Sequence, residues 1–176
     1  MIRLELEDLH LKFVDGELYE RITKQVQEMK GKRTLPVYRF QESIRDILEE
    51  HGFHFTIRAR VKSTSSIYNK MKKLNIPFRE VYDLFALRII IEAPPGQEKS
   101  TCWQVYAAIT TLYKPHPDKL RNWLSYPRPN GYISLHTTVK NDEGEWIELQ
   151  IRTQQMNEIA ERGYAAHWRY KEAGKE

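Results

Sequence analysis

The sequence predicts an α+β domain in which a mixed β-sheet has helices packed on it. Apolar residues recur with the helical period in some segments and with a period of two in others, and the two kinds of segment interleave along the chain. A short turn joins the last two strands, which makes that pair antiparallel. No repeat or linker divides the 176 residues, so one domain, residues 1–176, is expected.

Two helices are predicted in the N-terminal part, residues 1–54. After an acidic lead, apolar residues at helical spacing predict a first helix over residues 15–32. A second apolar series predicts a helix over residues 34–52. Pro36 would lie in its first turn, where the missing backbone N–H is tolerated.

The mixed-sheet core is predicted over residues 55–152. Residues 55–62 alternate between apolar and polar side chains, which is typical of a half-buried strand. A serine-rich segment, residues 63–66, can cap a third helix that ends before Pro77. A second strand ends over residues 86–91.

A helix over residues 101–112 follows this strand. Residues 114–131 contain five prolines or glycines and no clean period, which predicts a long loop. Two strands, 133–140 and 145–152, then form a predicted hairpin. The C-terminal part, residues 153–176, is expected to be helical from 154 to 171.

Composition narrows the class of protein. Charged residues make up 30% of the chain and the mean hydropathy is −0.67, values typical of a globular protein that lacks a membrane span. The N-terminus has no apolar stretch of the kind found in a secretory signal, so a cytoplasmic location is expected. Cys102 is the single cysteine, which excludes an internal disulfide and a cysteine-based zinc site and favours a role in the core.

The net charge of +4 is mild, but its distribution is uneven. Residues 51–79 contain no acidic side chain, and they include seven lysines and arginines. The expected strand with Arg60 and Lys62 leads directly into the helix with Ser66 and Lys70. Two cations, a hydroxyl and a helix N-terminus can therefore converge, an arrangement suited to a polyphosphate. The alternative is a solvated basic face.

The last predicted strand carries a second polar face. Strand parity places Glu148, Gln150 and Arg152 on one side and the isoleucines and leucine between them on the other. Glu148 paired with Asp83 could bind Mg²⁺ through oxygen ligands and leave positions for substrate phosphates. A surface salt bridge is the alternative for each acid.

A turn followed by a strand, residues 127–137, contains an aromatic ring, a hydroxyl and an imidazole. Tyr132 could stack on a nucleobase, and the alternative is an ordinary amphipathic strand. The other histidines show no ligand spacing, so a zinc site is not expected. Glycine-rich phosphate-binding motifs of the P-loop and Rossmann types are absent from the sequence.

Four ordered motifs together resemble a known family. They are Arg60-Val61-Lys62 with Ser66-Ile67-Tyr68-Asn69-Lys70-Met71; Asp83-Leu84-Phe85-Ala86-Leu87-Arg88; Asn130-Gly131-Tyr132 with Ser134-Leu135-His136-Thr137-Thr138; and Glu148-Leu149-Gln150-Ile151-Arg152-Thr153. This pattern resembles the synthetase domain of the RelA/SpoT alarmone synthetases, and the likeness spans essentially the whole chain. The closing segment, residues 156–171, resembles the long, ribosome-associated branch.

The resemblance implies a nucleotidyltransferase-like mixed sheet that binds Mg²⁺. It also implies transfer of pyrophosphate from ATP to the 3′-hydroxyl of GDP or GTP, which gives (p)ppGpp and AMP in the stringent response. On this basis Asp83 and Glu148 are the implied catalytic and metal-binding residues. The implied ATP-binding residues are Arg60, Lys62, Ser66, Lys70 and Arg88. The implied GDP- or GTP-binding residues are Tyr132, His136, Gln150, Asn157, Lys119 and Arg121.

ATP and GDP or GTP are therefore the expected partners, with neither a membrane nor DNA. Full-length family members also have hydrolase and regulatory domains and contact the ribosome. We expect no counterpart of these domains in this sequence. Asn122 departs from the family pattern in the segment 119–122, whose basic sign resembles the bifunctional members. Two other functions stay open: a catalytically silent nucleotide-binding regulatory domain and a basic RNA-binding module.

Overall fold

A mixed sheet forms the centre of the fold, as expected from the sequence, and it has five strands where four were predicted. The computed structural model describes residues 2–81 and 84–162. The strands are β1 (Phe55–Val61), β2 (Phe85–Ile91), β3 (Arg121–Asn122), β4 (Leu135–Lys140) and β5 (Trp146–Thr153). Their order across the sheet is β1-β2-β5-β4-β3. The central pair, β2 and β5, is parallel, and the other neighbouring pairs are antiparallel.

Five α-helices accompany the sheet in the part of the chain that the structure describes. They are α1 (Ile2–Val14), α2 (Gly16–Glu50), α3 (Thr64–Leu74), α4 (Glu98–Leu112) and α5 (Gln154–Arg162). A single 3-10 turn, Phe78–Glu80, precedes β2. The predicted third helix, second strand and hairpin are confirmed. The predicted loop over 114–131 contains the short β3, and residues 163–171 of the last predicted helix lie outside the described residues.

One face of the sheet forms the hydrophobic core with α2 and α4. Ile57, Leu87 and Leu149 lie on this face and are buried in one cluster with residues of both helices. Cys102 belongs to the same cluster, as its expected role in the core requires. The opposite face carries the polar residues of the strands, because successive side chains alternate across a sheet.

The N-terminal part differs from the prediction of two helices over 15–32 and 34–52. Residues 16–50 form the single helix α2, with Pro36 in its interior instead of its first turn. The two apolar series share one helical phase, since Met29 and Val37 are about two turns apart and both contact the core. Burial of one continuous stripe therefore outweighs the backbone hydrogen bond that Pro36 cannot make. Thr34, the first residue of the predicted second helix, lies inside α2, and its hydroxyl donates to the carbonyl of Lys30 at 2.5 Å.

The acidic lead forms α1, a helix that was not predicted. Its Leu11 is buried, and α1 packs against both α2 and α3. Asp8 Oδ1 accepts a hydrogen bond of 2.7 Å from the backbone amide of Ser65, in the first turn of α3. The helix has seven apolar residues, but they do not gather on one face, so its hydrophobic period is weak and its position depends on this tertiary contact.

Both ends of α3 follow local rules that the sequence carries. Ser63 is the N-cap residue, and its Oγ accepts from the amide of Ser66 at 3.3 Å. Asn75 ends the helix in the left-handed conformation, with a φ of 52°. Within the described residues, no helix combines the length and apolar character that crossing a bilayer would require.

Candidate functional site

The strand registers align the predicted site residues in two rows on the polar face of the sheet. One row crosses all five strands and consists of Arg58, Arg88, Gln150, His136 and Arg121. The adjacent row consists of Arg60, Ala86, Glu148 and Thr138. Residues that are distant in sequence therefore meet because hydrogen-bonded strands place them opposite one another.

A cleft of about 900 Å³ opens beside these rows. Six of the predicted site residues line it: Lys62, Lys70, Lys119, Arg121, His136 and Glu148. The cleft thus has lysines from the end of β1 and from α3 on one side and the loop before β4 on the other. Glu148 and Asp118 are the carboxylates of its described lining.

Glu148 accepts hydrogen bonds from two side chains. His136 Nδ1 lies 3.1 Å from Glu148 Oε1, and Gln150 Nε2 donates to the same oxygen at 2.9 Å. Lys62 Nζ lies 3.9 Å from Oε2. Burial acts to raise the pKa of Glu148, but the hydrogen bonds from His136 and Gln150 and the nearby charges outweigh it, so that the pKa is lowered. The carboxylate is therefore ionised at neutral pH.

His136 is held between this carboxylate and a tyrosine. Tyr132 Oη lies 2.7 Å from His136 Nε2, and Arg152 Nη1 donates to the same hydroxyl at 3.4 Å. Burial lowers the pKa of His136, while the hydrogen bond to Glu148 opposes that shift. The net lowering favours a neutral imidazole, which has one N–H donor and one acceptor nitrogen.

Among the predicted phosphate ligands, the structure places Lys62 and Lys70 at the cleft. Ser66 Oγ lies 2.7 Å from Ser63 Oγ, which also caps α3. The N-terminus of α3, expected to face a polyphosphate, is instead covered: Ser65 is 2% exposed and its amide is bound to Asp8. The Ser65 amide is therefore not available to a phosphate at this end of the cleft, where the predicted ligands are side chains.

Arg60 and Arg88 lie on the same face of the sheet, in adjacent rows. Arg88 Nη1 donates to Glu161 Oε1 of α5 at 3.1 Å, which ties α5 to β2. Burial, together with the nearby Arg60, lowers the pKa of Arg88. The two guanidinium groups are thus close enough for the charge of one to lower the pKa of the other.

The remaining predicted acceptor residues divide between the surface and the interior. Lys119 and Arg121 are exposed at the mouth of the cleft. Asn157 of α5 is 3% exposed, and its Oδ1 has no hydrogen-bond donor among residues 2–81 and 84–162. Gln150 is buried beside Glu148.

The predicted magnesium site is described in part. Asp83 lies outside the described residues, so its pairing with Glu148 stays a prediction. In the part of the chain that the structure describes, no group of three histidine, cysteine or acidic side chains could hold a metal ion alone. Glu148 Oε2 nevertheless accepts none of the hydrogen bonds seen at Oε1, which suits a site that takes its other ligands from phosphates.

Sequence reasoning missed one residue beside the predicted acceptor residues. Trp123 lines the cleft, and its ring meets those of Tyr132 and His136 edge-on, with centroids 5.6 and 4.6 Å apart. Arg128 lies over the Trp123 ring at 4.3 Å. Loop residues without a period gave no signal for Trp123. Arg152 was predicted on the polar face of β5, but its burial to 1% exposure was not.

Comparison with solved structures identifies the fold as that of the alarmone synthetases. The small alarmone synthetase 1 of Bacillus subtilis, solved with its product pppGpp, superimposes with a TM-score of 0.52. The match covers 89% of this chain and 80% of that one, at 23% sequence identity. At this identity the likeness concerns the fold alone.

The chain belongs to the RelA/SpoT family, whose sequence pattern, described as a region found in RelA / SpoT proteins, matches residues 59–175. Over 97% of its length it is 38% identical to a probable guanosine-3′,5′-bis(diphosphate) 3′-pyrophosphohydrolase of Synechocystis sp.. It is 34% identical, over the same share, to a GTP pyrophosphokinase of Photobacterium angustum. The chain spans 22% of the length of each of these relatives.

Proposed function

We propose that this chain is a (p)ppGpp synthetase domain, which transfers pyrophosphate from ATP to the 3′-hydroxyl of GDP or GTP. The observation that carries the proposal is an ionised, partly buried carboxylate, Glu148, that opens onto a cleft lined by lysines. Relatives named GTP pyrophosphokinase and a structural neighbour whose product is pppGpp support the same reaction.

On the donor side, Lys62 and Lys70 bind the ATP phosphates, with Ser66 as a further ligand. Arg60 and Arg88 flank the adenine, since guanidinium planes stack on a base in a way that lysine does not reproduce. In this role Arg88 contacts the adenine, and its ion pair with Glu161 either persists beside the nucleotide or breaks when the nucleotide binds. Fixed cations around the phosphates stabilise the charge that builds on phosphoryl oxygens in the transition state.

On the acceptor side, the ring of Tyr132 stacks on guanine, while Lys119 and Arg121 at the cleft mouth attract the phosphates of GDP or GTP. His136, Gln150 and Asn157 shape the site around the ribose. Glu148 orients the 3′-hydroxyl and accepts its proton as the oxygen bonds to the β-phosphorus of ATP. The bond from that phosphorus to the α,β-bridging oxygen breaks at the same time, so that AMP leaves. Orientation of this kind contributes because the reacting groups are held in line before the reaction.

Glu148 and Asp83 would hold Mg²⁺ together with the ATP phosphates. When bound, the ion neutralises charge on the phosphates and helps to align them.

The direct test is to incubate the protein with ATP, GDP and Mg²⁺ and to resolve the nucleotides by chromatography. We expect AMP and ppGpp in equal amounts. Because several relatives are named as pyrophosphohydrolases, ppGpp alone is incubated in parallel and the release of pyrophosphate is measured. ATP binding without AMP would favour the silent regulatory domain.

The RNA-binding alternative makes a different prediction. It requires affinity for RNA that falls steeply with salt, because phosphate contacts release counterions. That affinity would not depend on Glu148. RNA binding that is strong at physiological salt, combined with an absence of product, would replace the synthetase proposal.

Replacement of Glu148 by glutamine is the sharpest variant. We expect Glu148→Gln to lose nearly all turnover and to keep ATP binding, because the proposed role of the carboxylate concerns the acceptor hydroxyl. Turnover is measured as AMP formation and ATP affinity by calorimetry. Glu143→Gln, in the exposed turn of the same hairpin, is the matched control and keeps full activity. Normal turnover in Glu148→Gln would remove Glu148 from the mechanism.

A further inference from the structure

A fully buried guanidinium lies behind the acceptor side of the cleft. Arg152, on β5, is 1% exposed, and burial lowers its pKa to about 10, so it stays cationic at neutral pH. Its Nη1 donates to Tyr132 Oη at 3.4 Å, and its centre lies 5.8 Å from the Tyr132 ring centroid. Its Nε and Nη2 have no acceptor among residues 2–81 and 84–162. Removal of a cation from water is costly, so the position needs an explanation other than stability.

The hydrogen bonds from Arg152 continue as a chain to the proposed catalytic carboxylate. Tyr132 Oη is 2.7 Å from His136 Nε2, and His136 Nδ1 is 3.1 Å from Glu148 Oε1. The pairing of β4 with β5 sets this spacing, since His136 lies directly opposite Gln150. Four side chains from two strands and the preceding turn are thereby connected end to end.

The two ends of the chain fix the direction of every hydrogen bond in it. Arginine can only donate, and an ionised carboxylate can only accept. The Glu148 carboxylate requires a proton on His136 Nδ1, so in a neutral ring Nε2 is the acceptor nitrogen. Tyr132 Oη then donates its single proton to Nε2 and accepts from Arg152 Nη1.

We propose that Arg152 is a positioning residue for pyrophosphate transfer, which acts through Tyr132 and His136 to hold the Glu148 carboxylate in its reactive orientation. With Oε1 fixed by His136 and Gln150, the second oxygen, Oε2, is left for the acceptor hydroxyl. This inference rests on the proposed function. It assigns two roles to Tyr132: the ring stacks on the guanine base, and the hydroxyl takes part in the chain of hydrogen bonds from Arg152 to Glu148.

Tyr132→Phe tests the chain without removing the ring. We expect kcat to fall about tenfold, which corresponds to about 1.4 kcal/mol, while the KM of GDP changes less than about threefold. Tyr126→Phe, in the same loop and 78% exposed, is the matched control. An unchanged kcat in Tyr132→Phe would overturn the proposal.

Variants of Arg152 give a second measurement. Arg152→Met should lower kcat by a similar factor, and Arg152→Lys should recover part of it, because an ammonium also only donates. Equal activity of the methionine and lysine variants at wild-type level would contradict a role for the cation. If Arg152→Met does not fold, the Tyr132 variant and the spectroscopic test below still decide the question.

The tautomer of His136 provides a readout that does not depend on turnover. In ¹⁵N-histidine-labelled protein, with His136 assigned from the spectrum of His136→Asn, we expect Nδ1 to be protonated and Nε2 to be of the acceptor type. Tyr132→Phe should weaken this preference. A protonated Nε2 in the wild-type protein would overturn the chain. The expected tautomer together with no AMP or ppGpp from the wild-type protein would overturn the proposed function and leave the hydrogen-bond chain intact, whereas the expected tautomer with a fully active Glu148→Gln variant would overturn the positioning role.

Discussion

At Glu148, burial and hydrogen bonding act on the same carboxyl group in opposite directions. Burial alone would favour the protonated form, whereas His136, Gln150 and the Lys62 ammonium favour the charged form, and their combined effect prevails. An ionised carboxylate that lines the cleft can accept a hydrogen bond from a hydroxyl bound there and so orient it. The local environment thus supplies the charge state that the proposed reaction requires.

Tyr132 is the residue at which nucleotide selectivity can be measured. We expect Tyr132→Ala to raise the KM of GDP or GTP roughly 5- to 150-fold, through loss of about 1–3 kcal/mol of stacking, in addition to the tenfold fall in kcat expected from loss of its hydroxyl. Steady-state kinetics with each nucleotide varied in turn measures this. Tyr126→Ala serves as control, and an effect confined to the KM of ATP would contradict the assignment.

Cys102 illustrates a residue that the core makes inert. Burial raises the pKa of the thiol to about 12, and the side chain is 0% exposed on α4. Because the thiolate is the reactive form, native protein should react with a disulfide reagent such as DTNB far more slowly than protein unfolded in denaturant. The rate is followed by absorbance in both states. Equal rates would mean that α4 opens readily under native conditions.

At the level of elements, α2 shows the limit of local rules. Thr34 and Pro36 form a good start signal for a helix, and this signal led to the prediction of two helices. No helix begins there, because Met29 and Val37 lie on one continuous apolar stripe. A core that can bury the whole stripe favours an unbroken helix. The common phase of the two series could have been read from the sequence.

Pro36 should therefore cost stability. We expect Pro36→Ala to stabilise the protein by roughly 1–2 kcal/mol: the helix gains a backbone hydrogen bond, and part of the gain is offset by the freer unfolded chain. Urea unfolding followed by circular dichroism measures the change. Leu35→Ala, at a 57% exposed position, is the control and should change stability by less than about 0.5 kcal/mol. A destabilised Pro36→Ala would show that core packing requires a bend at this point.

The strands were more predictable than the connections between them. Alternation assigned Glu148, Gln150 and Arg152 to one face, and their contacts agree with it. The order of the strands, and the contact of Asp8 with the start of α3, depend on tertiary packing that no local pattern encodes. For the same reason, the absence of acidic residues from 51 to 79 predicted a positive site, but it could not predict that Asp8, from a distant part of the sequence, covers the N-terminus of α3.

On the scale of the whole molecule, the sheet separates two functions. One face is the core with α2 and α4, and the other carries the cleft, partly covered by α5 through the contact of Glu161 with Arg88. A ligand in this cleft would contact both β1 and the β4–β5 hairpin. Nucleotide binding should therefore stabilise the whole fold and not a single loop.

We expect ATP at about 100 times its Kd to add about 2.7 kcal/mol to the free energy of unfolding and to raise Tm by several degrees. Differential scanning fluorimetry measures the shift. Lys70→Ala should reduce it, whereas Lys72→Ala, two positions along α3 and outside the cleft lining, should not. Equal shifts in the two variants would place the phosphates elsewhere.

The register of β4 against β5 has a consequence for how this domain can fail. Displacement of either strand by one residue would turn its aliphatic side chains to the wrong side of the sheet and would leave the interior unfilled. The strand register that buries the aliphatic side chains is thus the same register that places the imidazole, amide and carboxylate groups next to one another. A molecule that has folded correctly therefore has these three groups in place.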